Sequence, residues 1–215
     1  MGVYGGPNKV KGGIVFSLDG ANPNSYAGDS VTVVGTDYGY MGGGYVTSPS
    51  RTSIVNRLDY SNDTPTTTAK GPLSIGRQNI RATGNQSYGY FGGGGPGGPT
   101  VSTIDRIDYS SDTGTAAVKG PLSIDRYSSA ATGNLSYGYW GGGNPGTLSS
   151  VDRVDYSNDT PTAVAKGPLS QARKYFTATG TTSYGYFMGG GNPGAVSTID
   201  RVDYSNDTAT TVAKG

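Results

Sequence analysis

The sequence predicts an all-β chain assembled from one four-stranded unit repeated along its length. Two observations carry this. A set of markers recurs in fixed order across four copies, and each copy alternates short Val-, Ile-, Thr- and Tyr-rich runs with clusters of Gly, Pro, Asn, Asp and Ser. A third observation agrees: no segment sustains a helical period. Tyr-Gly-Tyr begins at Tyr38, Tyr88, Tyr137 and Tyr184, at spacings of 50, 49 and 47 residues. An aliphatic-Asp-Tyr triplet follows at Leu58, Ile107, Val154 and Val202, with SNDT or SSDT directly after it. Lys-Gly-Pro-Leu-Ser closes the unit at Lys70, Lys119 and Lys166, and the last copy stops at Lys214-Gly215.

Residues 1–30 lie outside the repeat. In Gly12 to Tyr26, Ile14, Phe16 and Leu18 alternate with Val15, Ser17 and Asp19, the pattern of one half-buried strand, and an Ala-Asn-Pro-Asn-Ser-Tyr turn follows. The repeats then divide as 31–76, 77–125, 126–172 and 173–215. In the second copy the expected strands are 77–85, 87–93, 102–110 and 115–120. Ile107 and Tyr109 share one face of the third strand, and Arg106 and Asp108 share the other, where they are expected to pair. Ser, Asn and Asp side chains in the turn after this strand are expected to bond back to nearby amides. The proline of Lys-Gly-Pro has no amide donor, so the fourth strand should end before it.

A single four-stranded unit leaves two apolar faces uncovered, so it must bury them against its neighbours. Four strands per unit and a period near 48 residues fit blades set around a central axis, a β-propeller. The aromatic strands running into glycine (YGYFGGG, YGYWGGG, YGYFMGGG), the DRIDY and DRVDY strands, and the Pro-Leu-Ser-x-x-Arg stretches carrying Arg77, Arg126 and Arg173 resemble kelch-type propeller repeats. The resemblance implies that the glycines mark the exit of the second strand and that the arginine lies between successive blades. One departure stands out: kelch units usually carry a fourth-strand tryptophan, whereas the single Trp140 here follows a Tyr-Gly-Tyr. Four repeats are visible, enough to close a small ring; because the last copy stops where its siblings continue Gly-Pro-Leu-Ser, the other expectation is a longer chain, with more blades or a propeller continuing into a receptor-binding region. The GGIVFSLDGANPNSY stretch resembles the opening of many tailed-phage virion proteins, including tail, neck and fibre components. By that resemblance residues 1–30 form an anchoring strand and linker.

Composition narrows the chemistry. The chain has no cysteine and no histidine, which removes disulfides, thiolate metal sites and the Ser-His and Cys-His nucleophile pairs. Sixteen Lys and Arg against fifteen Asp give a formal charge of +1, so no field points to nucleic acid. The start lacks a secretory core, Gly6 is not the Ser or Thr of a myristoylation signal, and no run approaches a membrane span. No GK[ST] follows any glycine run, so these read as turns rather than phosphate cradles. Asp105, Asp108 and Asp112 lack EF-hand spacing and read as structural, and the Asn-Asp-Thr sequons at Asn62, Asn158 and Asn206 read as turns. No catalytic, cofactor or metal residue is expected.

The connections between second and third strands differ in length while their flanks hold, which places recognition there. Most of the 17 tyrosines occupy repeated positions, leaving Tyr45 in the first connection as a candidate contact. The expected function is a non-enzymatic structural or adhesive component of a tailed-phage virion, a neck, tail or head fibre present in several copies. Its partners would be other virion proteins and a host-surface glycan or protein, with no nucleic acid and no membrane insertion. Two other classes stay open: a cellular kelch-type interaction module and a sugar-acting enzyme.

Overall fold

In a computed structural model the described residues are 32–34, 37–47, 50–95 and 97–215; the amino-terminal strand expected within 1–30 falls outside them. The structure is all-β, with four four-stranded antiparallel sheets and one small hairpin. Sheet 1 comprises β1 (Thr32–Val34), β2 (Tyr38–Gly42), β5 (Val55–Asp59) and β6 (Thr68–Lys70). Sheet 2 comprises β7 (Arg81–Gly84), β8 (Tyr88–Gly92), β9 (Ile104–Asp108) and β10 (Ala117–Lys119). Sheet 3 comprises β11 (Ala130–Gly133), β12 (Tyr137–Gly143), β13 (Leu148–Asp155) and β14 (Val164–Lys166). Sheet 4 comprises β15 (Thr177–Gly180), β16 (Tyr184–Met188), β17 (Ile199–Asp203) and β18 (Val212–Ala213). Each sheet is a plain meander, and β6, β10 and β14 all stop at the lysine before Gly-Pro, where the ladder loses its donor.

The first strands lie beside one another in chain order: β1 next to β7, β7 next to β11, β11 next to β15. Three apolar cores fill the spaces between successive sheets. Tyr40, Ile80, Phe91 and Ile107 pack between sheets 1 and 2. Tyr90, Leu122, Trp140 and Val154 pack between sheets 2 and 3, and Tyr139, Leu169, Phe187 and Val202 between sheets 3 and 4. Tyr-Gly-Tyr serves this packing directly, because both faces of the strand are covered and the glycine leaves room for a neighbouring ring. A Cβ on Gly138 would stand 2.6 Å from the Tyr156 hydroxyl.

Each second strand leaves its sheet through two glycines with left-handed backbone, for example Gly93 (φ 72°) and Gly94 (φ 93°). Into that corner fits the arginine of the next linker. The amides of Gly44, Gly94 and Gly143 donate to the carbonyls of Arg77, Arg126 and Arg173 at 2.9, 2.7 and 2.9 Å. The arginine side chains turn into their own sheets and are fully buried. Arg77 meets Asp105 at 3.0 Å, Arg126 meets Asp152 at 2.9 Å and Arg173 meets Asp200 at 2.7 Å. Each guanidinium also donates to a carbonyl at the end of the second strand, Phe91, Gly142 or Phe187, at 3.0 Å. Residues 77–80 are thus a lead-in anchored by the buried Arg77 and Ile80, and the first strand of sheet 2 begins later than expected, at Arg81.

Sheet 1 departs from this rule at both positions. Eleven residues before Tyr88, Tyr137 and Tyr184 stand the three arginines, whereas Ala27 stands eleven before Tyr38. The third strand of sheet 1 carries Asn56 where its siblings carry Asp105, Asp152 and Asp200. The first copy thus carries neither member of the arginine–aspartate pair in its sequence.

Arg126→Met is expected to destabilise the chain by about 3–5 kcal/mol, because it strands Asp152 as an uncompensated buried charge. Adding Asp152→Asn should recover part of that loss, measurable as the shift in urea midpoint of the single and double variants. A second expectation concerns Gly120, where a Cβ would collide with the Pro161 carbonyl of the neighbouring sheet's turn. Gly120→Ala should lower stability by about 1–3 kcal/mol. Gly114→Ala, at a position with no atom within 4 Å, should stay within about 0.5 kcal/mol.

Candidate functional site

A repeated polar clasp locks neighbouring sheets and so fixes the loops they carry. Cross-strand registration places Tyr40 opposite Arg57, Tyr90 opposite Arg106 and Tyr139 opposite Arg153. The lysine ending the fourth strand joins each pair, and together they form a socket for one carboxylate from the next sheet. Asp112 receives the Tyr40 hydroxyl at 2.9 Å, Arg57 at 2.8 Å and Lys70 at 3.1 Å. Asp159 receives Tyr90 at 2.9 Å, Arg106 at 2.7 Å and Lys119 at 3.1 Å. Asp207 receives Tyr139 at 2.9 Å, Arg153 at 2.8 Å and Lys166 at 3.0 Å. The backbone joins in, with the amides of Gly71, Gly120 and Gly167 donating to the carbonyls of the same aspartates at 2.8, 2.9 and 2.8 Å.

Two sequence expectations are corrected by this geometry. Arg106 does not pair with Asp108 on its own strand but reaches Asp159 in the next sheet. Asp112 does not bond its local backbone; the local turn role belongs to Asp108, which accepts from the Ser110 amide at 2.9 Å and its hydroxyl at 2.6 Å. Asp105, Asp108 and Asp112 therefore serve three separate structures. Among the described residues no group of three or more His, Cys, Asp or Glu could hold a metal ion.

Aromatic stacking reinforces each clasp. Tyr40 lies on Tyr109 at 4.7 Å between ring centres, Tyr90 on Tyr156 at 4.6 Å and Tyr139 on Tyr204 at 4.8 Å. The arginines lie over the first tyrosine of Tyr-Gly-Tyr, Arg57 over Tyr38 at 4.2 Å and Arg153 over Tyr137 at 4.4 Å. Burial, then the hydrogen bond to Asp112, pushes the Tyr40 phenol up to about 12, so it remains a donor at neutral pH. Burial opposes ionisation of Asp112 and Asp207, but the hydrogen bonds from their tyrosine and lysine partners and the arginine charge outweigh it and hold both carboxyls below the ordinary range.

On this frame the second-to-third-strand connections and the interdomain-like linkers before each sheet share one end of the structure. The Leu73 amide donates to Ser53 O at 2.8 Å and the Arg77 amide to Thr52 O at 3.3 Å, tying linker to loop. The first connection, expected as a loop, contains a hairpin of β3 (Tyr45–Thr47) and β4 (Ser50–Arg51). Tyr45 stands half in solvent at 49% exposure, with the Arg51 guanidinium 5.1 Å from its ring centre. Val46 and Ile54 are exposed nearby.

At this same end the linkers run across one another through three residues with left-handed backbone, Asn79 (φ 55°), Ser128 (φ 53°) and Tyr175 (φ 57°). The Ser128 amide donates to Asn79 O at 3.4 Å and the Tyr175 amide to Ser128 O at 3.0 Å. Tyr175 is the most exposed large hydrophobic side chain among the described residues, at 65%, with the Lys174 ammonium 5.4 Å from its ring centre. Sequence reasoning passed over it. The signal that finds it is register: Tyr175 replaces Asn79 and Ser128 at a repeat position where no other copy has an aromatic residue. Each of these solvated tyrosines, beside its own cationic side chain, is suited to stacking on a sugar ring or anchoring a protein.

The carboxyl shifts set the acid response. A carboxyl held low in the folded chain contributes fully above its unfolded value of about 4, and that contribution is lost as pH falls through the lower folded value. The melting midpoint should therefore hold from neutral pH to about pH 5 and fall below about pH 4, with a shallower acid limb in Asp112→Asn. No family model and no curated protein matches this chain.

Proposed function

We propose that the chain is a non-enzymatic structural and adhesive component of a tailed-phage virion, a neck, tail or head fibre. In this reading its sheets are kelch-like blades of a β-propeller that displays the second-to-third-strand loops to a protein or host surface. The observation that carries the display role is the clasp repeated at three junctions, which holds loops of differing length on one end of a stiff array. Meander sheets whose first strands adjoin in chain order support the propeller arrangement. Gly12 to Tyr26, through its resemblance to phage virion openings, supports the virion setting and the anchoring role of residues 1–30. Buried arginines and aspartates are consumed in structural pairs, which favours a scaffold over a catalytic reading.

The setting is tested by mass spectrometry of purified tailed-phage particles from the genome that encodes the chain. The protein should be present in several copies per particle, and its absence would refute the virion reading. The display role is tested separately, with Tyr45→Ala and Tyr175→Ala. Each should weaken binding of the purified chain to host cells about tenfold or more, the loss typical of a truncated anchor residue, while leaving its melting midpoint unchanged.

A further inference from the structure

Every junction has a carboxylate side and a socket side, and one of each is left over. On sheet 1, Asp63 and Tyr60 occupy the places of Asp112 and Tyr109, yet Asp63 is exposed and Tyr60 stands at 43% exposure. On sheet 4, Tyr186, Arg201 and Lys214 occupy the places of Tyr139, Arg153 and Lys166 and receive no carboxylate among the described residues. This socket is built like the filled ones. Tyr186 and Arg201 face each other in the same register, Arg201 lies over Tyr184 at 4.4 Å, and the Lys214 amide donates to Ile199 O at 2.7 Å. The Arg201 Nε is buried and bonded to nothing.

Packing at the two unused sides is matched as well. At the internal junctions an aromatic ring covers a glycine of the preceding sheet, Phe91 on Gly42, Trp140 on Gly92 and Phe187 on Gly141. A Cβ on those glycines would stand 2.9, 2.7 and 2.9 Å from the ring. Sheet 4 breaks the rule by carrying Met188 where the glycine belongs, and sheet 1 breaks it in the opposite sense by carrying Met41 where the ring belongs. The added volume on one side answers the missing volume on the other, so sheet 4 suits sheet 1 better than it suits a sheet bearing Phe or Trp. A hydroxyl is also matched. Thr83 and Thr132 meet Tyr156 and Tyr204 at 3.2 and 3.1 Å, and Thr179 on sheet 4 holds the place that would meet Tyr60.

We propose that the fourth sheet of one copy receives the first sheet of a second copy of this chain. Asp63 enters the socket of Tyr186, Arg201 and Lys214, Tyr60 stacks on Tyr186, and Met41 packs against Met188. The contact joins two different surfaces, so it runs head to tail and extends the array of clasped sheets from one chain into the next.

Sedimentation of the full chain should show association of copies at micromolar concentration. Asp63→Lys, which blocks the head, and Arg201→Glu, which blocks the tail, should each sediment as single chains. Mixed one to one, they should regain a species containing one copy of each, because every pair retains an intact tail facing an intact head. Asp63→Lys should keep the wild-type melting midpoint of the single chain, whereas Asp112→Lys should lower it. A wild-type chain that stays single at all concentrations, variants that associate like wild type, or a mixture that stays single would each overturn the proposal. So would loss of single-chain stability in Asp63→Lys equal to that of Asp112→Lys, since Asp63 would then be engaged within its own chain.

Discussion

A carboxylate that leaves its own sheet and is neutralised inside the preceding one is the interaction on which this structure depends. A four-stranded meander of short strands has little core of its own, and both of its faces must be covered. Apolar contact alone would let neighbouring sheets slide, since it is not directional. Asp112, Asp159 and Asp207 remove that freedom, because each meets a phenol, a guanidinium and an ammonium from three different strands of the preceding sheet. Burying such charges adds little net stability, and its better attested use is to select one arrangement among many.

Two charge systems divide the work. The Arg77–Asp105 pair and its equivalents tie the linker to its own sheet, while the tyrosine-arginine-lysine sockets tie one sheet to the next. The glycine corner connects them, since the arginine that pairs inside its own sheet offers its carbonyl to the preceding one. The loops beyond that corner inherit a fixed footing although their lengths vary.

The repeat made much of this architecture legible. Tyr-Gly-Tyr and aliphatic-Asp-Tyr mark the two central strands of each sheet, Gly-Pro ends the fourth, and the paired glycines sit where the second strand departs. Charge partners were harder to read because strand alternation reports which residues share a face, not what approaches that face from outside. Arg106 is two residues from Asp108, yet its partner Asp159 is 53 residues away, one repeat and a few positions further on. Tyr45 could be singled out by lying outside the repeated tyrosines, and Tyr175 escaped because its exposure depends on a left-handed turn that no local residue preference announces. The hairpin inside the first connection escaped for a related reason: its strands are only three and two residues long.

The backbone at Tyr175 has an evolutionary corollary. Asparagine tolerates the left-handed region through its short polar side chain, and a branchless serine is tolerated better than a ring, whereas an aromatic residue is disfavoured there by about 1–2 kcal/mol. Drift toward greater robustness would replace Tyr175 with glycine or asparagine. Glycine or asparagine at this position would relax the turn without disturbing a core, because the Tyr175 ring is turned into solvent.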